Sequence, residues 1–512
     1  MIKREEHEAF AEPWPKDEHN ADLIANARPG DWRNPEPAAV YNLVVIGAGS
    51  AGLVTAAGAV ALGAKVALVE KNLMGGDCLN TGCVPSKTIL RSARFYADLH
   101  NATDFGGQVP ERVHIDFGKA MARMRGIRAH ISHDDSATRF REMGVDVFFG
   151  EAVFADSHTV NVEGATLKFR KAVIATGTRA ARPAIDGLEE AGYLTNETVF
   201  NLTERPARLM VIGGGPLGCE LAQAFARLGC EVTIVQKEPQ FLPKEERDAA
   251  EILAHALARD GIHVRLNTDV KKVTTYGGEK RVHLITYDQE STVTVNEVLV
   301  GCGRVPNVEA LNLTAAGVTY DEEKGVHVND YMQTSNRRIY AAGDVALEHR
   351  YTHMADATAR IVIQNALFLG RRKLSALTVP WCTYTDPEIA HVGIYVREAR
   401  EQGIPVKTFT VPMSDVDRAM TDSEEEGFVK IHIREGTDTI LGATIVARHA
   451  GEMINEISLA MVAGIGLQTI SRVIHSYPTQ AEAIRKAADA YTRTRLTPFI
   501  RKLTTRWMAW SR

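Results

Sequence analysis

The stretch YNLVVIGAGSAG, residues 41–52, decides the fold of this chain. Its apolar run predicts a buried strand that passes through a glycine turn into a helix. A second strand follows as KVALVE at residues 65–70. Gly47 allows the tight turn, Gly49 lets a pyrophosphate approach the backbone, and Gly52 lets helix and strand pack closely. The segment therefore predicts a βαβ unit that binds a dinucleotide at the helix N-terminus.

The same pattern returns in RLMVIGGGPLGCELAQAFARLGCEVTIVQ, residues 208–236. Gly213, Gly215 and Gly218 repeat the spacing of the first three glycines, again between a strand and a helix. The chain therefore contains an internal repeat of a whole βαβ unit, which indicates two dinucleotide sites. We expect an α/β fold with two Rossmann-like domains.

The residue that ends the second strand differs between the two copies. Glu70, in the first copy, can accept hydrogen bonds from a ribose diol. Gln236, in the second copy, removes a carboxylate that would repel a 2′-phosphate, and Lys237 adds a neighbouring cation. The difference favours NADPH over NADH. Lys237 on a solvated face is an equally good interpretation of that residue.

A third motif, GGDCLNTGCVPSK at residues 75–87, places a cysteine pair directly after the first βαβ unit. At the start of a helix, the spacing of Cys78 and Cys83 predicts sulfurs one turn apart and close enough to bridge. A helix N-terminus stabilises a thiolate, the form that attacks disulfides and metal ions. The pair therefore predicts a redox centre rather than two structural cysteines.

Composition excludes several other classes of protein. The chain has 512 residues, of which 24% are charged, and a net charge of −5, which argues against a general nucleic-acid binder. Six cysteines are too few for a disulfide scaffold. The sequence has no apolar run of the roughly 18 residues that a membrane span needs, and its start lacks the apolar core of a signal peptide. We expect a cytoplasmic enzyme without a dedicated metal site.

Together, these motifs resemble the class I pyridine nucleotide-disulfide oxidoreductases, the flavin disulfide reductases that include dihydrolipoyl dehydrogenase, glutathione reductase and mercuric reductase. The resemblance runs from about Tyr41 to Pro498 and is greatest to mercuric reductase-like members. It implies FAD, NAD(P)H and a homodimer. Three further motifs carry it: ATG at residues 175–177, GRVPN at 303–307 and IYAAGD at 339–344.

The resemblance also divides the chain into segments. Residues 1–40 are polar and proline-rich, and we expect them to wrap on a surface or to be partly disordered. Residues 376–495 mix short strands with amphipathic helices, which predicts a separate α+β domain. The full division is an N-terminal extension (1–40), a first FAD-binding part with the redox cysteines (41–185), an NAD(P)-binding domain (186–305), a second FAD-binding part (306–375), a dimerisation domain (376–495) and a basic tail (496–512).

By the same resemblance, five residues outside the glycine turns contact the cofactors. Thr176 and Gly177 lie at the crossover to the nicotinamide domain. Arg304 lies at the return crossover. Gly343 precedes Asp344, whose carboxylate holds the ribityl chain of FAD in the family.

The resemblance gives the redox motif its roles. Cys83 is the thiol that contacts the isoalloxazine, and Cys78 is the interchange thiol that meets the substrate. Lys87 matches the lysine beside the flavin, and Glu220 matches its ion-pair partner. These roles agree with the physics, because a cation near the ring stabilises negative charge on reduced flavin and a buried lysine needs an anion.

The C-terminal motif departs from the family. It is usually His-Pro-Thr-x-x-Glu, and its histidine exchanges protons at the neighbouring subunit's active site. Here HSYPTQAE, residues 475–482, has Tyr477 at the histidine position and keeps Glu482. Tyrosine, with a reference pKa near 10, is a poor proton carrier at neutral pH, and mercuric reductase also has a tyrosine there. His475 is a second candidate for the base, and a packing aromatic is the alternative interpretation of Tyr477.

A second departure concerns the remaining cysteines. Mercuric reductases carry a cysteine pair at the extreme C-terminus, whereas no cysteine follows Cys382 here. The sequence patterns predict core positions for the four cysteines outside the redox motif: Cys219, Cys230, Cys302 and Cys382.

The sequence therefore predicts an NAD(P)H-dependent flavoenzyme that passes electrons through FAD and the Cys78–Cys83 disulfide to a disulfide or a soft metal ion. Dihydrolipoyl dehydrogenase is the first alternative, and the missing histidine argues against it. The second is a membrane-associated electron-transfer flavoprotein with a quinone or protein acceptor. Its support is the tail at residues 496–512, which has cations and tryptophans but no acid. A solvated helix packed on the dimer is the simpler interpretation of that tail.

Overall fold

A computed structural model describes residues 12–110, 113–368 and 370–512. The chain forms two compact units. The first unit contains the residues up to 237 together with 264–377, and the second contains residues 238–263 together with 378–512.

Helices and strands alternate along most of the described chain. The helices are α1 (Glu18–Ala27), α2 (Ser50–Ala61), α3 (Gly76–Asn80), α4 (Cys83–His100), α5 (Phe117–Ser132), α6 (Ala137–Glu142), α7 (Leu188–Ala191), α8 (Pro216–Arg227), α9 (Arg247–Arg259), α10 (Thr352–Leu367), α11 (Val396–Glu401), α12 (Asp417–Asp422), α13 (Ala450–Val462), α14 (Leu467–Ile470), α15 (Glu482–Thr494) and α16 (Pro498–Trp510). The strands are β1 (Tyr41–Ile46), β2 (Val66–Glu70), β3 (Asp146–Phe149), β4 (Ala152–Asp156), β5 (Thr159–Val162), β6 (Ala165–Ile174), β7 (Thr178–Ala180), β8 (Arg208–Ile212), β9 (Glu231–Val235), β10 (His263–Arg265), β11 (Thr268–Tyr276), β12 (Glu279–Thr286), β13 (Gln289–Val295), β14 (Glu297–Val300), β15 (Arg304–Pro306), β16 (Tyr320–Asp321), β17 (Gly325–Val326), β18 (Ile339–Ala341), β19 (Pro380–Thr383), β20 (Glu388–Gly393), β21 (Val406–Pro412), β22 (Phe428–Arg434) and β23 (Ile440–Ala447). Short 3₁₀ turns lie at Ala102–Phe105, Val199–Asn201, Leu374–Ala376 and Met413–Asp415.

The largest sheet of the first unit has seven strands in the order β3-β2-β1-β6-β5-β4, with β18 also paired to β6. β1 runs parallel to both β2 and β6, so it is a central strand of the sheet. Every residue of β1 except Asn42 is buried, which explains its continuous apolar run. The first glycine turn therefore leaves the carboxyl end of a central strand, where α/β sheets bind their ligands.

The second copy of the motif builds a second parallel sheet, in the order β10-β9-β8-β14. β8 pairs in parallel with β9 and with β14. The antiparallel sheet β11-β12-β13 shares a hydrophobic core with these strands, in which Met210 and Val298 pack near Val282 and Leu284. The prediction of an α/β fold with two Rossmann-like units is confirmed.

The two connections between these sheets lie side by side. β7 and β15 pair in antiparallel fashion, with Thr178 opposite Pro306 and Arg304 opposite Ala180. Thr176 Oγ1 also donates a hydrogen bond to the carbonyl oxygen of Asn307 at 2.7 Å. The ATG and GRVPN motifs are therefore neighbours, although they are far apart in the sequence.

The described part of the N-terminal extension is ordered. Asp17 caps α1 by accepting a hydrogen bond from the Asn20 amide at 2.9 Å. Asn34 exchanges two hydrogen bonds of 2.8 Å with the backbone of Phe149 on β3, and Trp32 stacks edge-on against the Phe149 ring. The expectation of surface wrapping matches these contacts, whereas residues 1–11 lie outside the described chain.

The second unit is an α+β domain, as predicted for the C-terminal segment. Its antiparallel sheet has the order β19-β20-β23-β22-β21, and α13 and α15 pack against it. Ile431 and Ile445 of the sheet share the core with Ile457 and Ile484 of these helices.

Residues 238–263, which the sequence division assigns to the NAD(P)-binding segment, belong to this second unit. Their buried Glu245 accepts hydrogen bonds from Tyr395 Oη at 2.7 Å and from Trp381 Nε1 at 2.8 Å. The next residue, Glu246, pairs with Lys430 at 2.9 Å. These polar contacts, rather than hydrophobic periodicity, fix the grouping, so the sequence pattern does not show it.

Candidate redox site

The cysteine pair lies on two helices rather than one. Cys78 is inside α3, and Cys83 is the first residue of α4. The prediction of two positions on one helix start is therefore wrong. Gly82 separates the helices with a non-helical backbone, and a Cβ there would lie 2.8 Å from the carbonyl oxygen of Asp77. This break turns Cys83 towards Cys78 from a helix N-terminus, where backbone N–H groups favour a thiolate.

Cys83 is the stronger acid of the pair. The pKa of Cys83 is lowered to about 6, and the largest cause is a hydrogen bond from the Cys78 thiol. Desolvation opposes this shift, whereas a hydrogen bond with Thr352 and the nearby charge of Lys87 contribute to it. The Cys83 Sγ to Thr352 Oγ1 distance is 3.2 Å. The same shared hydrogen bond, together with burial, raises the pKa of Cys78. In the reduced pair, Cys83 therefore holds the negative charge and Cys78 holds the proton.

Lys87 and Glu220 form an ion pair beside these thiols. Lys87 Nζ lies 2.8 Å from Glu220 Oε2, and the Glu220 side chain is almost fully buried. Lys87 comes from α4 and Glu220 from α8, so the pair connects the redox helix to the second βαβ copy. The cation lowers the pKa of Cys83 and the carboxylate raises it.

Asp77, which the sequence analysis did not select, ties the redox motif to the crossover strands. Its carboxylate pairs with Arg304 and accepts a hydrogen bond from Asn196 Nδ2 at 3.0 Å. Arg304 Nε in turn donates to Thr178 Oγ1 at 2.7 Å. The sequence signal that could have identified Asp77 is its position as an acidic residue between Gly76 and Cys78.

Asp344 lies at the other end of this polar network. Thr178 Oγ1 donates to Asp344 Oδ2 at 3.3 Å, and burial raises the pKa of the Asp344 carboxyl. The preceding Gly343 has φ of +75°, and a Cβ there would lie 3.1 Å from Ala51 Cβ. Arg304 and Asp344, predicted from separate motifs, are thus brought together through Thr178.

The first glycine turn has no room for side chains. Gly47 has φ of +101°, and a Cβ on it would lie 2.4 Å from the carbonyl oxygen of Ala175, next to Thr176 and Gly177. A Cβ on Gly52 would lie 1.8 Å from the carbonyl oxygen of Gly47. Glu70 Oε2 accepts a hydrogen bond from the Ala48 amide at 2.7 Å, and burial raises its pKa.

The second glycine turn has the same geometry. Gly213 has φ of +108°, and a Cβ on Gly218 would lie 2.0 Å from its carbonyl oxygen. Gln236 Oε1 accepts a hydrogen bond from the Gly214 amide at 2.8 Å, which is the counterpart of the contact that Glu70 makes. Lys237 is exposed and lies 3.4 Å from Asp269.

Both turns fit a dinucleotide. Gly49 and Gly215 are the N-caps of α2 and α8, and neither helix has a side-chain hydrogen bond at its N-cap. The first N–H groups of each helix can therefore bind a pyrophosphate, and the helix dipole favours its charge. The residues present match one dinucleotide at each turn.

The three residues of the C-terminal motif lie in the second unit. Tyr477 Oη donates to Asp417 at 3.0 Å, which raises the pKa of the phenol. Glu482 is buried, and its Oε2 has no hydrogen-bond partner among the described residues. His475 Nε2 lies 2.9 Å from Glu456. Tyr477 therefore points to Asp417 rather than to Glu482, and its role stays a prediction.

Two further residues differ from the sequence analysis. Thr352 contacts Cys83 although no motif marked it, because the contact joins segments that are distant in the sequence. Cys302, predicted in the core, is exposed, since it follows the end of β14 at the crossover. Cys219 and Cys230 are buried as predicted, and Cys382 is partly buried.

Comparison with protein-family models gives two matches. Residues 41–360 match the family described as pyridine nucleotide-disulphide oxidoreductase. Residues 379–488 match the dimerisation domain of the same family. This second match supports a homodimer.

Individual relatives agree with the family models. Mercuric reductase from Staphylococcus aureus is 36% identical over 448 residues, which cover 88% of this chain and 82% of that protein. Dihydrolipoyl dehydrogenase from Thermus scotoductus is 34% identical over 88% of this chain and 97% of its own length. The solved HOCl-induced flavoprotein disulfide reductase RclA from Escherichia coli is 28% identical with a TM-score of 0.79, and covers 88% of this chain and 99% of its own. The chain belongs to the pyridine nucleotide-disulphide oxidoreductase family, whose members depend on FAD and take electrons from NAD(P)H.

Proposed function

We propose that this enzyme passes two electrons from NAD(P)H, by way of FAD, to the Cys78–Cys83 pair and then to a disulfide or a soft metal ion. The observation that carries the proposal is the placement of Cys83 at the start of α4, with Thr352 Oγ1 at 3.2 Å and the Lys87–Glu220 ion pair nearby. A hydrogen bond from Cys78, together with these neighbours, lowers the pKa of Cys83 to about 6. A thiol of that pKa is mostly ionised at neutral pH and is ready to donate electrons or bind a metal ion.

Each residue of the redox site has its own role in this proposal. FAD held at the first glycine turn would supply a hydride acceptor for NAD(P)H and a two-electron donor for the disulfide. The S–S bond breaks as the two electrons enter, one proton is taken up by Cys78, and Cys83 stays a thiolate. Lys87 stabilises negative charge beside the thiolate, and Glu220 fixes the position of Lys87.

A disulfide acceptor would then react with Cys78. Its thiol loses a proton, and the sulfur attacks the acceptor to form a mixed disulfide, releasing one thiolate that takes up a proton. The Cys83 thiolate attacks Cys78, which re-forms the internal disulfide and releases the second thiol. This series of exchange reactions needs a base to remove the proton of Cys78, because the pKa of Cys78 is raised.

A soft metal ion places less demand on such a base. The ion displaces the proton of Cys78 directly as it binds both sulfurs, because thiolates are preferred ligands of soft ions. The two sulfurs give up two electrons to the ion as the Cys78–Cys83 S–S bond re-forms, the displaced proton passes to solvent, and the metal leaves in its reduced form. Tyr477, whose pKa is raised by Asp417, is unsuited to general base catalysis at neutral pH. The lack of a suitable base at this position therefore favours a metal-ion acceptor over a disulfide acceptor.

Two relatives support this preference. Mercuric reductases are among the relatives that match most of the chain. A solved neighbour at 28% identity and a TM-score of 0.78 is described as a Cu(II) complex of RclA. Dihydrolipoyl dehydrogenase is the alternative function, supported by relatives such as the Thermus scotoductus enzyme and by the retained Glu482.

The test is a comparison of acceptors with purified enzyme and NADPH. We expect turnover with thiol-complexed Hg(II) to exceed turnover with lipoamide, glutathione disulfide or a water-soluble quinone. Tyr477→His should raise lipoamide turnover by about 10²-fold, because general acid–base catalysis typically contributes 10²–10⁴. Tyr477→Phe is the matched control and should leave lipoamide turnover low. Strong wild-type lipoamide activity that neither variant changes would favour the dihydrolipoyl dehydrogenase alternative.

A further inference from the structure

The C-terminal helix α16 leaves an apolar face on the surface. Every residue from Thr492 to Arg512 is exposed. Within that segment, Phe499 is 75% exposed, Trp507 is 60% exposed and Trp510 is 78% exposed. Large apolar side chains that remain exposed together mark an interaction surface.

These side chains share one side of the helix. Phe499, Leu503, Trp507 and Trp510 follow one another at spacings of four, four and three residues, and Ile500 lies beside them. The rings of Trp507 and Trp510 are 5.4 Å apart. The result is a narrow apolar stripe along the whole helix, which we call the tail stripe.

The helix is a defined element of the fold. Thr497 accepts a hydrogen bond from the Ile500 amide at 3.3 Å, and Pro498 occupies the first turn. A capping threonine followed by proline is a strong helix start. Arg495 also binds Gln468, which anchors the connection that precedes the helix. The tail stripe is therefore presented on a helix with its own start signal.

The charges around the tail stripe are all of one sign. Arg501, Lys502, Arg506 and Arg512 lie in or just after the helix, and no acidic residue follows Asp489. The chain as a whole has a net charge of −5, so this segment is a local exception. Arginine and lysine beside an apolar stripe match anionic lipid headgroups above an acyl layer, and tryptophan prefers that interface.

We propose that α16 binds the surface of an anionic lipid bilayer and thereby places the reductase at a membrane. Within the described residues, no helix is both long and apolar enough to cross a bilayer. α16 itself, at 13 residues, is about 20 Å long, shorter than the roughly 30 Å hydrocarbon layer. The helix lies in the plane of the interface, with the tail stripe inserted and its cations at the phosphates.

The test is vesicle flotation of the full-length holoenzyme. We expect it to float with vesicles of 70% phosphatidylcholine and 30% phosphatidylglycerol and to stay behind with pure phosphatidylcholine. Lys502→Gln/Arg506→Gln, which removes the two cations that flank the tail stripe, should lower the partition constant at low salt by roughly 25-fold, about fivefold for each charge. Trp507→Ser/Trp510→Ser should also abolish flotation. Lys168→Gln/Arg170→Gln, which removes two exposed cations from β6, is the matched control and should float like the wild type.

Each variant should keep wild-type flavin reduction by NADPH, because these side chains are exposed in the tail or on β6. Equal binding to both vesicle types would overturn the proposal, as would no binding to either. A second copy of the chain is the rival occupant. If Trp507→Ser/Trp510→Ser changes the mass of the enzyme in sedimentation equilibrium without lipid, the tail stripe is a protein–protein contact and the membrane proposal is wrong.

Discussion

The two glycine turns have the same backbone design but differ in what covers them. A Cβ on Gly49 would lie 3.6 Å from Gly76, because the redox motif crosses directly over the first turn. Gly75 N also donates to the carbonyl oxygen of Ala48 at 2.9 Å. A Cβ on Gly215 in the second turn would meet no described atom within 4 Å beyond its chain neighbours.

This difference agrees with a dinucleotide that stays bound at the first turn and another that exchanges at the second. The first turn is covered by neighbouring segments. The carbonyl oxygen of Ala27, in α1, accepts a hydrogen bond from the Met74 amide, and the next residue, Gly75, contacts the turn. We therefore expect a dinucleotide bound there to be partly covered and to exchange slowly. The second turn is open, as a site for a dinucleotide that binds and leaves in every cycle must be.

The largest effects should come from filling the third glycine of each turn. Gly218→Val should lower NADPH-dependent flavin reduction by at least about 10²-fold while FAD stays bound, because a displaced helix start misplaces the nicotinamide. Gly52→Val should lose FAD itself. Gly30→Ala, where a Cβ meets no described atom within 4 Å beyond its chain neighbours, is the control. Flavin absorbance after gel filtration and stopped-flow reduction separate the outcomes. Loss of FAD from Gly218→Val would remove the distinction between the turns.

The strand-end residues offer a finer comparison. Gln236→Glu should make the second turn like the first, because a carboxylate beside the ribose repels a 2′-phosphate. We expect the ratio of kcat/KM for NADPH to that for NADH to fall at least tenfold, which is about 1.4 kcal/mol in transition-state binding. Gln289→Glu adds the same charge on exposed β13 and should change nothing. A wild-type preference of tenfold or more for NADH would contradict the expected NADPH preference.

The Lys87–Glu220 pair lies where the two copies meet, and it sets a pH dependence. The lowered pKa of Cys83 means that the thiolate persists down to about pH 6 and is protonated below it. The long-wavelength band of the two-electron-reduced enzyme should fade through that pH. Lys87→Gln removes a cation that lowers this pKa, so the midpoint should rise by about one pH unit. Glu220→Gln should move it downward. Midpoints that stay the same in both variants would show that the pair does not act on Cys83.

The smallest effect is expected at Lys237. The residue is exposed and its pair with Asp269 is on the surface, so its contribution is screened by water and salt. Lys237→Ala should raise the KM for NADPH by about two- to threefold at low ionic strength, and less at 0.5 M salt. Steady-state kinetics at both salt concentrations measure it. A tenfold effect would instead indicate direct contact with the 2′-phosphate.

The sequence predicts the parts of this molecule that depend on local pattern. The strands, turns and helices around Gly47 and Gly213 follow from glycine spacing and apolar runs, and the cysteine motif follows them directly. Contacts between distant segments were not predictable in this way. Thr352 reaches Cys83 from the start of α10, and Asp77 meets Arg304 across the crossover strands.

The sequence also did not predict backbone and side-chain directions that depend on a single residue. α3 ends at Asn80 and Gly82 is the N-cap of α4, so the cysteines lie on two helices. The motif resemblance matches Tyr477 with the family's histidine, but the Tyr477 hydroxyl donates to Asp417 rather than to Glu482. In both cases the motif singled out the residues, but the residues that they contact depend on side-chain or backbone direction, which the motif does not show.

We propose that Cys83 is the thiolate beside the flavin and that Cys78 is the interchange thiol. The absorption spectrum of each serine variant at pH 8, before and after reduction with dithionite or NADPH, tests these roles. We expect a long-wavelength charge-transfer band in the two-electron-reduced wild type and in Cys78→Ser, and none in Cys83→Ser. Cys230→Ser, which changes a buried cysteine beyond the C-terminal end of α8, is the control. If Cys83→Ser and Cys78→Ser both keep the wild-type spectrum, the assignment of the redox centre is wrong.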